Sequence, residues 1–365
     1  MTVHGGMIDK ARVLADLRRH VSKGRASLTQ LAGGFVEVCS KGSRVIDSDG
    51  REYLDCGGYG VFILGHGHPS VVAAVRRQLD VHPLATRLLA EPRLAEAASK
   101  LASVAPGPLE LVHFVNSGAE AVETAIKIAR THGKSRLVSM QGGFHGKTMG
   151  ALSVTARDVY QDPFRPLLPS VTHVPFGDAA SLEALLDVAE DCCVILEPVQ
   201  AEGGVILPPD GYLRQVELLC RRYGAFLVLD EIQTGMGRLG TWWGADREGV
   251  VPDVLLVGKG LSGGVVPVAA AVATPAAYAV LNRDPLLHTS TFGGAPLAMA
   301  AAHAAITAIE DEAIVPRARE LGERLLGALV ELPATGAPVT EIRGRGLLIF
   351  AEVDRSWMAL SSRLS

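Results

Sequence analysis

FLVLDEIQTGMGRLG (226–240) and DVLLVGKGLSGG (253–264) decide the fold. Each opens on a short apolar run and closes on charge. FLVLD ends at Asp230, and VLLV ends in Gly258-Lys259-Gly260. Apolar runs of this length read as strands buried on both faces, which belong to a parallel sheet between helices. A carboxylate and a lysine at the ends of two such strands lie side by side at one edge of the sheet. Ligands bind along that edge in open α/β folds.

The same rhythm extends outward. LVHFV (111–115), RLVSM (136–140), ALSVT (151–155), VTHVP (171–175), CVILEP (193–198) and VPVAAAV (266–272) read as further strands. Helical patterns cover 118–132, 179–190, 210–223 and 295–310. Strands alternating with helices predict an α/β fold with a mostly parallel sheet covered on both faces. The outer segments differ. FVEVCSKGSRVIDSDGREYLD (35–55) reads as strands joined by a turn at Ser48-Asp49-Gly50. Residues 311–332 read as an amphipathic helix, and RGRGLLIFAEVD (343–354) as one more strand. The expected division is an N-terminal segment, 1–55, a large domain, 56–310, and a C-terminal part, 311–365, with both outer parts sharing a small α+β domain.

Composition narrows the partners. The chain has 365 residues, 48% of them hydrophobic, which suffices for a large core beside a smaller unit. A net charge of −4 gives no reason to expect nucleic acid or an anionic membrane. Five scattered cysteines with no CxxC read as reduced thiols of a cytoplasmic protein. The N-terminus is charged and shows no secretory signal. No charged residue lies between Lys259 and Arg283, a length that invites a membrane span. Pro267, Pro275 and Gly263-Gly264 interrupt it, so it reads as a strand and then a helix capped by Thr274. GHGHP (65–69) has the look of a metal-ligand pair, but metal sites need three or four convergent ligands, and a structural turn is the expectation.

Several motifs then converge on one chemistry. A lysine that can form an imine, beside a carboxylate that can hold a protonated pyridine nitrogen, suits pyridoxal phosphate (PLP). A structural ion pair is the plain alternative. FVNSGAEAVETAIKIAR (114–130) is a strand, a small polar turn and a helix, with Glu123 and Lys127 spaced as an i,i+4 pair. Free backbone N–H groups at Ser117-Gly118-Ala119 suit a phosphate, or Ser117 or Asn116 is an ordinary cap. In GGFHGKT (142–148), Phe144 stands beside His145 and either stacks on a flat heterocycle or folds into the core. ILEPVQAEGGV (195–205) places Glu197 at a strand end and adds Glu202, as ligand contacts or as salt-bridge partners. HTSTFGGAP (288–296) is a second phosphate-like turn, or a plain cap.

Taken together and in order, these motifs resemble the class III (ω-) aminotransferases of PLP fold type I. The resemblance runs from about Gly34 to Asp354. Within the family it is most similar to putrescine (diamine) aminotransferases, through LGHGHPSVVAAVRRQLDVHPLATR (64–87), PFRPLLPSVTHVPFGD (163–178), GVILPPDGYL (204–213) and PLLHTSTFGG (285–294). The resemblance implies a large domain with a seven-stranded sheet. It implies that Lys259 carries PLP and moves the substrate proton, and that Asp230 pairs with the pyridinium nitrogen. Gln233 would reach the phenolic oxygen. Ser117, Gly118 and Ala119 would hold the phosphate, and Phe144 would stack on the ring beside His145. Thr291 would reach the phosphate of the partner subunit, so the active unit would be at least a homodimer. Glu197 would lie near the cofactor, and Glu202 would be the gate or amine-recognition residue. The implied reaction moves a terminal amino group from a diamine or ω-amino acid to 2-oxoglutarate. Ornithine-type transamination, another PLP reaction and a catalytically impaired subunit are the alternatives.

Three positions depart from the family pattern. Ala119 replaces a usual threonine, and Ala295 a usual asparagine. Family members also continue past RGRGLLIFAEVD, with a late arginine that often binds the substrate carboxylate. Here DRSWMALSSRLS (354–365) stands instead, so an incomplete small domain with altered carboxylate recognition is expected.

Overall fold

The computed structural model describes residues 8–56, 58–86, 88–332 and 338–353. Its strands are β1 Glu37–Lys41, β2 Arg44–Asp47, β3 Glu52–Leu54, β4 Leu111–Val115, β5 Arg136–Met140 and β6 Val171–Val174. They continue as β7 Cys192–Leu196, β8 Phe226–Asp230, β9 Val254–Val257, β10 Ala269–Ala273, β11 Val339–Arg345 and β12 Leu348–Val353. The central sheet has seven strands in the order β4-β10-β9-β8-β7-β5-β6. Only β10 runs against its neighbours, pairing antiparallel with both β4 and β9. The sheet is therefore the mostly parallel one expected.

Alternate residues of its strands feed two cores. Val138, Val194, Leu227, Leu229 and Leu255 pack in one, and Leu137, Cys193, Ile195, Val228 and Leu256 in the other. Helix Gly118–Thr131 covers the second face, and helices Tyr212–Arg222 and Pro296–Asp311 cover the first. This double cover is why the strands read as unbroken apolar runs.

Three readings are corrected. ALSVT is not a strand: Met149–Val154 is a helix. The Glu123 carboxylate accepts from Thr148 Oγ1 at 2.6 Å, Gly150 N at 2.9 Å and Ala151 N at 3.2 Å. Thr148 occupies the N-cap position but gives its hydroxyl to Glu123, so a carboxylate from another helix satisfies the free backbone N–H groups. Glu123 therefore does not serve as the i,i+4 partner of Lys127, whose Nζ lies 3.2 Å from His288 Nδ1. RGRGLLIFAEVD, finally, is not one strand: residues 343–353 are the end of the first arm, the turn and the second arm of the β11–β12 hairpin. It reverses at Gly346, where φ is +54° and a Cβ would lie 2.4 Å from the Leu239 carbonyl carbon.

The outer segments form two separate sheets, β1-β2-β3 and β11-β12. The two histidines of GHGHP turn to different carboxylates, His66 to Asp55 at 2.6 Å and His68 to Glu312 at 2.9 Å. The uncharged stretch after Lys259 resolves into a short turn, β10 and helix Pro275–Arg283, with Thr274 Oγ1 accepting from Ala277 N at 3.2 Å. Among the described residues, no helix is long and apolar enough to cross a membrane. The tail 354–365 lies outside the described residues.

Candidate active site

The topology gathers the motifs. β4, β5, β7, β8 and β9 all end at the same edge of the sheet. Ser117, Phe144, His145, Glu197, Asp230 and Lys259 follow those ends or, for Asp230, close one.

Asp230 is 4% exposed and both its oxygens are engaged. Oδ1 accepts from Ile232 N at 3.1 Å, and Oδ2 meets His145 Nδ1 at 2.7 Å. A carboxylate is an acceptor, so Nδ1 carries the proton. Burial opposes a charge on His145, but the hydrogen bond and charge of Asp230, with the charge of Glu197, outweigh it and raise its pKa. His145 Nε2 is buried and has no hydrogen-bond partner among the described residues. Sequence reading set His145 beside Phe144; its bond to Asp230 was not legible, because the two are 85 residues apart.

Lys259 opens a short turn with φ +43°, a sparsely populated conformation for a side-chain-bearing residue. Burial lowers its pKa, against the charges of Asp230, Glu202 and Glu197. A lysine with a lowered pKa is a better nucleophile and proton carrier near neutral pH. Lys259 shares a cavity of about 300 Å³ with Asn116, Ser117 and Gly118. The helix start and the lysine thus face one space. Ser117 Oγ caps the helix by accepting from Glu120 N at 3.3 Å, so capping and an open N-terminus coexist. A Cβ on Gly118 would lie 2.9 Å from Ile232 Cδ1, so the helix start packs directly on the loop after Asp230.

Glu197 is fully enclosed. Its carboxylate accepts from Phe144 N at 3.0 Å and Ala201 N at 3.3 Å. Burial pushes its pKa up to about 7, with His145 lowering it and Asp230 raising it. Phe144 is half-buried, edge-on to Tyr160 with ring centroids 6.0 Å apart. Gln233 follows Asp230 in the same loop and lies against Gly60. Sequence reading missed Glu231, whose carboxylate accepts from Gly244 N at 2.9 Å, Ala245 N at 2.8 Å and the Thr234 hydroxyl. It pins the loop that carries Gln233.

Two expected residues stand apart. Glu202 is exposed, on the loop after Glu197. Thr291 lines a different cavity, of about 340 Å³, with His288 and Leu89. Ala295 is the N-cap of helix Pro296–Asp311 without a side-chain acceptor, so the usual asparagine's cap is lost.

The residues fit PLP: a nucleophilic lysine, a buried carboxylate held for a ring nitrogen, and a helix N-terminus, the last two on the lysine's side of the sheet. The family model for class-III aminotransferases matches residues 33–360. The chain belongs to the class-III aminotransferases, enzymes that use PLP to move an amino group from an amine donor to a keto acid. Its fold is PLP fold type I. It is similar to the ornithine aminotransferase of Toxoplasma gondii, at 34% identity and TM-score 0.88, covering 96% of this chain and 83% of that one. A thermostable (S)-enantioselective ω-transaminase from Thermomicrobium roseum matches at 33% identity and TM-score 0.89, over 96% and 86%. An amine transaminase from an uncultivated Pseudomonas species, in a PLP-bound form, matches at 31% identity and TM-score 0.78, over 86% and 79%.

Proposed function

We propose that this aminotransferase takes the terminal amino group of a diamine of the putrescine or cadaverine type, or of an ω-amino acid, and passes it to 2-oxoglutarate. Lys259, facing the helix start across one cavity and lying near Asp230, carries the reading. Bound there, PLP supplies an electrophilic carbon for the donor nitrogen and a sink for the electron pair released with the donor's proton. Lys259 Nζ would hold the cofactor and, once displaced by the donor amine, would take that proton from the donor carbon and hand it to the cofactor's electrophilic carbon, so that the amino group stays with the cofactor. Asp230 keeps the ring nitrogen's proton in place, and His145 holds Asp230 in register. Backbone N–H groups at Ser117, Gly118 and Ala119 bind the phosphate, Phe144 covers the ring and Gln233 takes its phenolic oxygen. Glu197 fixes the Phe144 turn. Thr291, in its separate cavity, serves the phosphate of a partner subunit in a homodimer.

Glu202 supports the diamine donor. It is an exposed carboxylate on the loop after Glu197, and its charge acts on Lys259; such a group suits a second amino group. The 34% identity to an ornithine aminotransferase supports a second reading, in which the donor is ornithine-like. The five cysteines are free, in keeping with a cytoplasmic setting.

An absorbance spectrum of the purified holoenzyme tests the reading. A lysine-bound imine band near about 410–430 nm should convert to the amine form on adding putrescine. Conversion by ornithine but not by putrescine would favour the second reading. Conversion by neither, nor by cadaverine or an ω-amino acid, would overturn both.

A further inference from the structure

We propose that Arg343, on the β11–β12 hairpin, is a positioning residue for the loop that carries Glu202, and that it thereby sets where Glu202 meets the distal amino group of a diamine. The second half rests on the donor reading above.

The loop is closed at its neck by two backbone bonds, Gln200 N to Ile206 O at 3.1 Å and Ile206 N to Gln200 O at 3.0 Å. Within it Gly204 has φ +102° and Val205 has φ +54°. A β-branched residue at positive φ is strained, and such a conformation persists only where its surroundings over-determine it. Here the surroundings come from the hairpin. Val205 is buried with Val199 and Leu239, and Leu348 and Phe350 of β12 pack against that cluster.

Arg343 adds direction. Its Nε donates to Gly204 O at 2.8 Å. Its guanidinium lies 4.3 Å from the centre of the Phe350 ring, and Nη1 meets Glu341 Oε1 at 2.7 Å. Those two contacts fix the guanidinium plane and aim Nε–H at the loop. The approach is tight: a Cβ on Gly204 would lie 2.9 Å from Arg343 Nη2. From the opposite side Arg157 Nη1 donates to Glu202 O at 2.9 Å, with its guanidinium 5.6 Å from the Tyr160 ring centre. Glu202-Gly203-Gly204 is thus tied at both ends through backbone oxygens. Neither bond is to the Glu202 carboxylate. The two glycines after Glu202 have no side chains to anchor them, so between Glu202 and the buried Val205 the arginines hold the backbone.

The test uses holoenzyme with Arg343→Gln, Arg343→Lys and Gly204→Ala. Each is assayed with putrescine and with butylamine, which has the same carbon chain and no distal amine. Hydrogen exchange of the Val205 and Ile206 amides is read on the same proteins. Arg343→Gln should raise the putrescine KM about tenfold with kcat within about twofold, while the butylamine KM moves less than about twofold. Exchange at the two amides should quicken in parallel. Arg343→Lys should recover only part of either effect, because lysine keeps the charge but has no guanidinium plane to lie against Phe350 and no Nε–H to aim at Gly204 O. Gly204→Ala, which disturbs the contact from the other side, should reproduce them with the arginine present. Equal KM changes for both amines, or a lower melting temperature without a donor split, would overturn the positioning role. A wild type that reacts with butylamine but not with putrescine would remove the donor reading and the role given to Glu202. Exchange then decides the clamp, and unchanged exchange in Arg343→Gln overturns it.

Discussion

The carboxyl edge of the sheet and the loop bearing Glu202 sit side by side but are held by different means. At the edge, Asp230 and Lys259 end or follow strands locked into a parallel ladder, and Asp230 is fixed by two hydrogen bonds in a dry setting. The loop is exposed at Glu202 and held by two arginines and a small apolar cluster. A ladder places residues wherever the core forms. Single tethers place them only while each tether holds. On the proposed function, chemistry common to all donors would therefore fall to the edge, and discrimination among donors to the loop. Glu197 joins the two, since it accepts one backbone N–H from each.

The largest effect expected is from Lys259→Ala. It should leave the far-ultraviolet circular dichroism unchanged and lower turnover by at least about 10³-fold with every donor, because it removes both nucleophile and proton carrier. Activity within tenfold of wild type, or a loss confined to diamines, would break the division between edge and loop. Asp230→Asn should slow the half-reaction by roughly 10²-fold or more, again equally across donors, since an amide cannot hold the ring nitrogen's proton as an anion does. An unchanged rate in rapid-mixing spectra would mean that another carboxylate serves the ring.

The smallest effect sharpens the join between the regions. Burial raises the Glu197 pKa from an ordinary 4.5 to about 7. A carboxyl whose pKa rises on folding favours the folded state fully below its unfolded pKa, and that contribution is lost as pH rises through the folded value. Glu197 should therefore cost stability progressively between pH 4.5 and about 7. The total is at most about 3 kcal/mol on the relation of 1.36 kcal/mol per pKa unit. Melting curves of the cofactor-free protein across that window should show this decline, shallower in Glu197→Gln. Parallel curves for the two proteins would show that Glu197 does not titrate there.

What could be read from the chain follows one physical rule. FLVLD and VLLV were legible because strands buried on both faces need unbroken apolar runs, and the residues after them must lie at the sheet edge. Asp230, Lys259 and the start of helix Gly118–Thr131 needed no further information. ALSVT was misread because the acceptor for its helix-start N–H groups, Glu123, comes from another helix, and Thr148 alone is too weak a start signal against so apolar a run. RGRGLLIFAEVD was misread because Gly346 turns the chain where Leu239 leaves no room for a side chain.

The sequence by itself determined the alternation of strands and helices, a mostly parallel sheet and the pairing of a lysine with a carboxylate at its edge. These follow from periodicity and composition, which act over a few residues. Only the tertiary structure decided that His145 holds Asp230, that Glu231 pins the Gln233 loop, and that Arg343 reaches Gly204 across 139 residues. Each is a polar contact between distant segments. Its energy depends on distance and burial that exist only once the core has assembled.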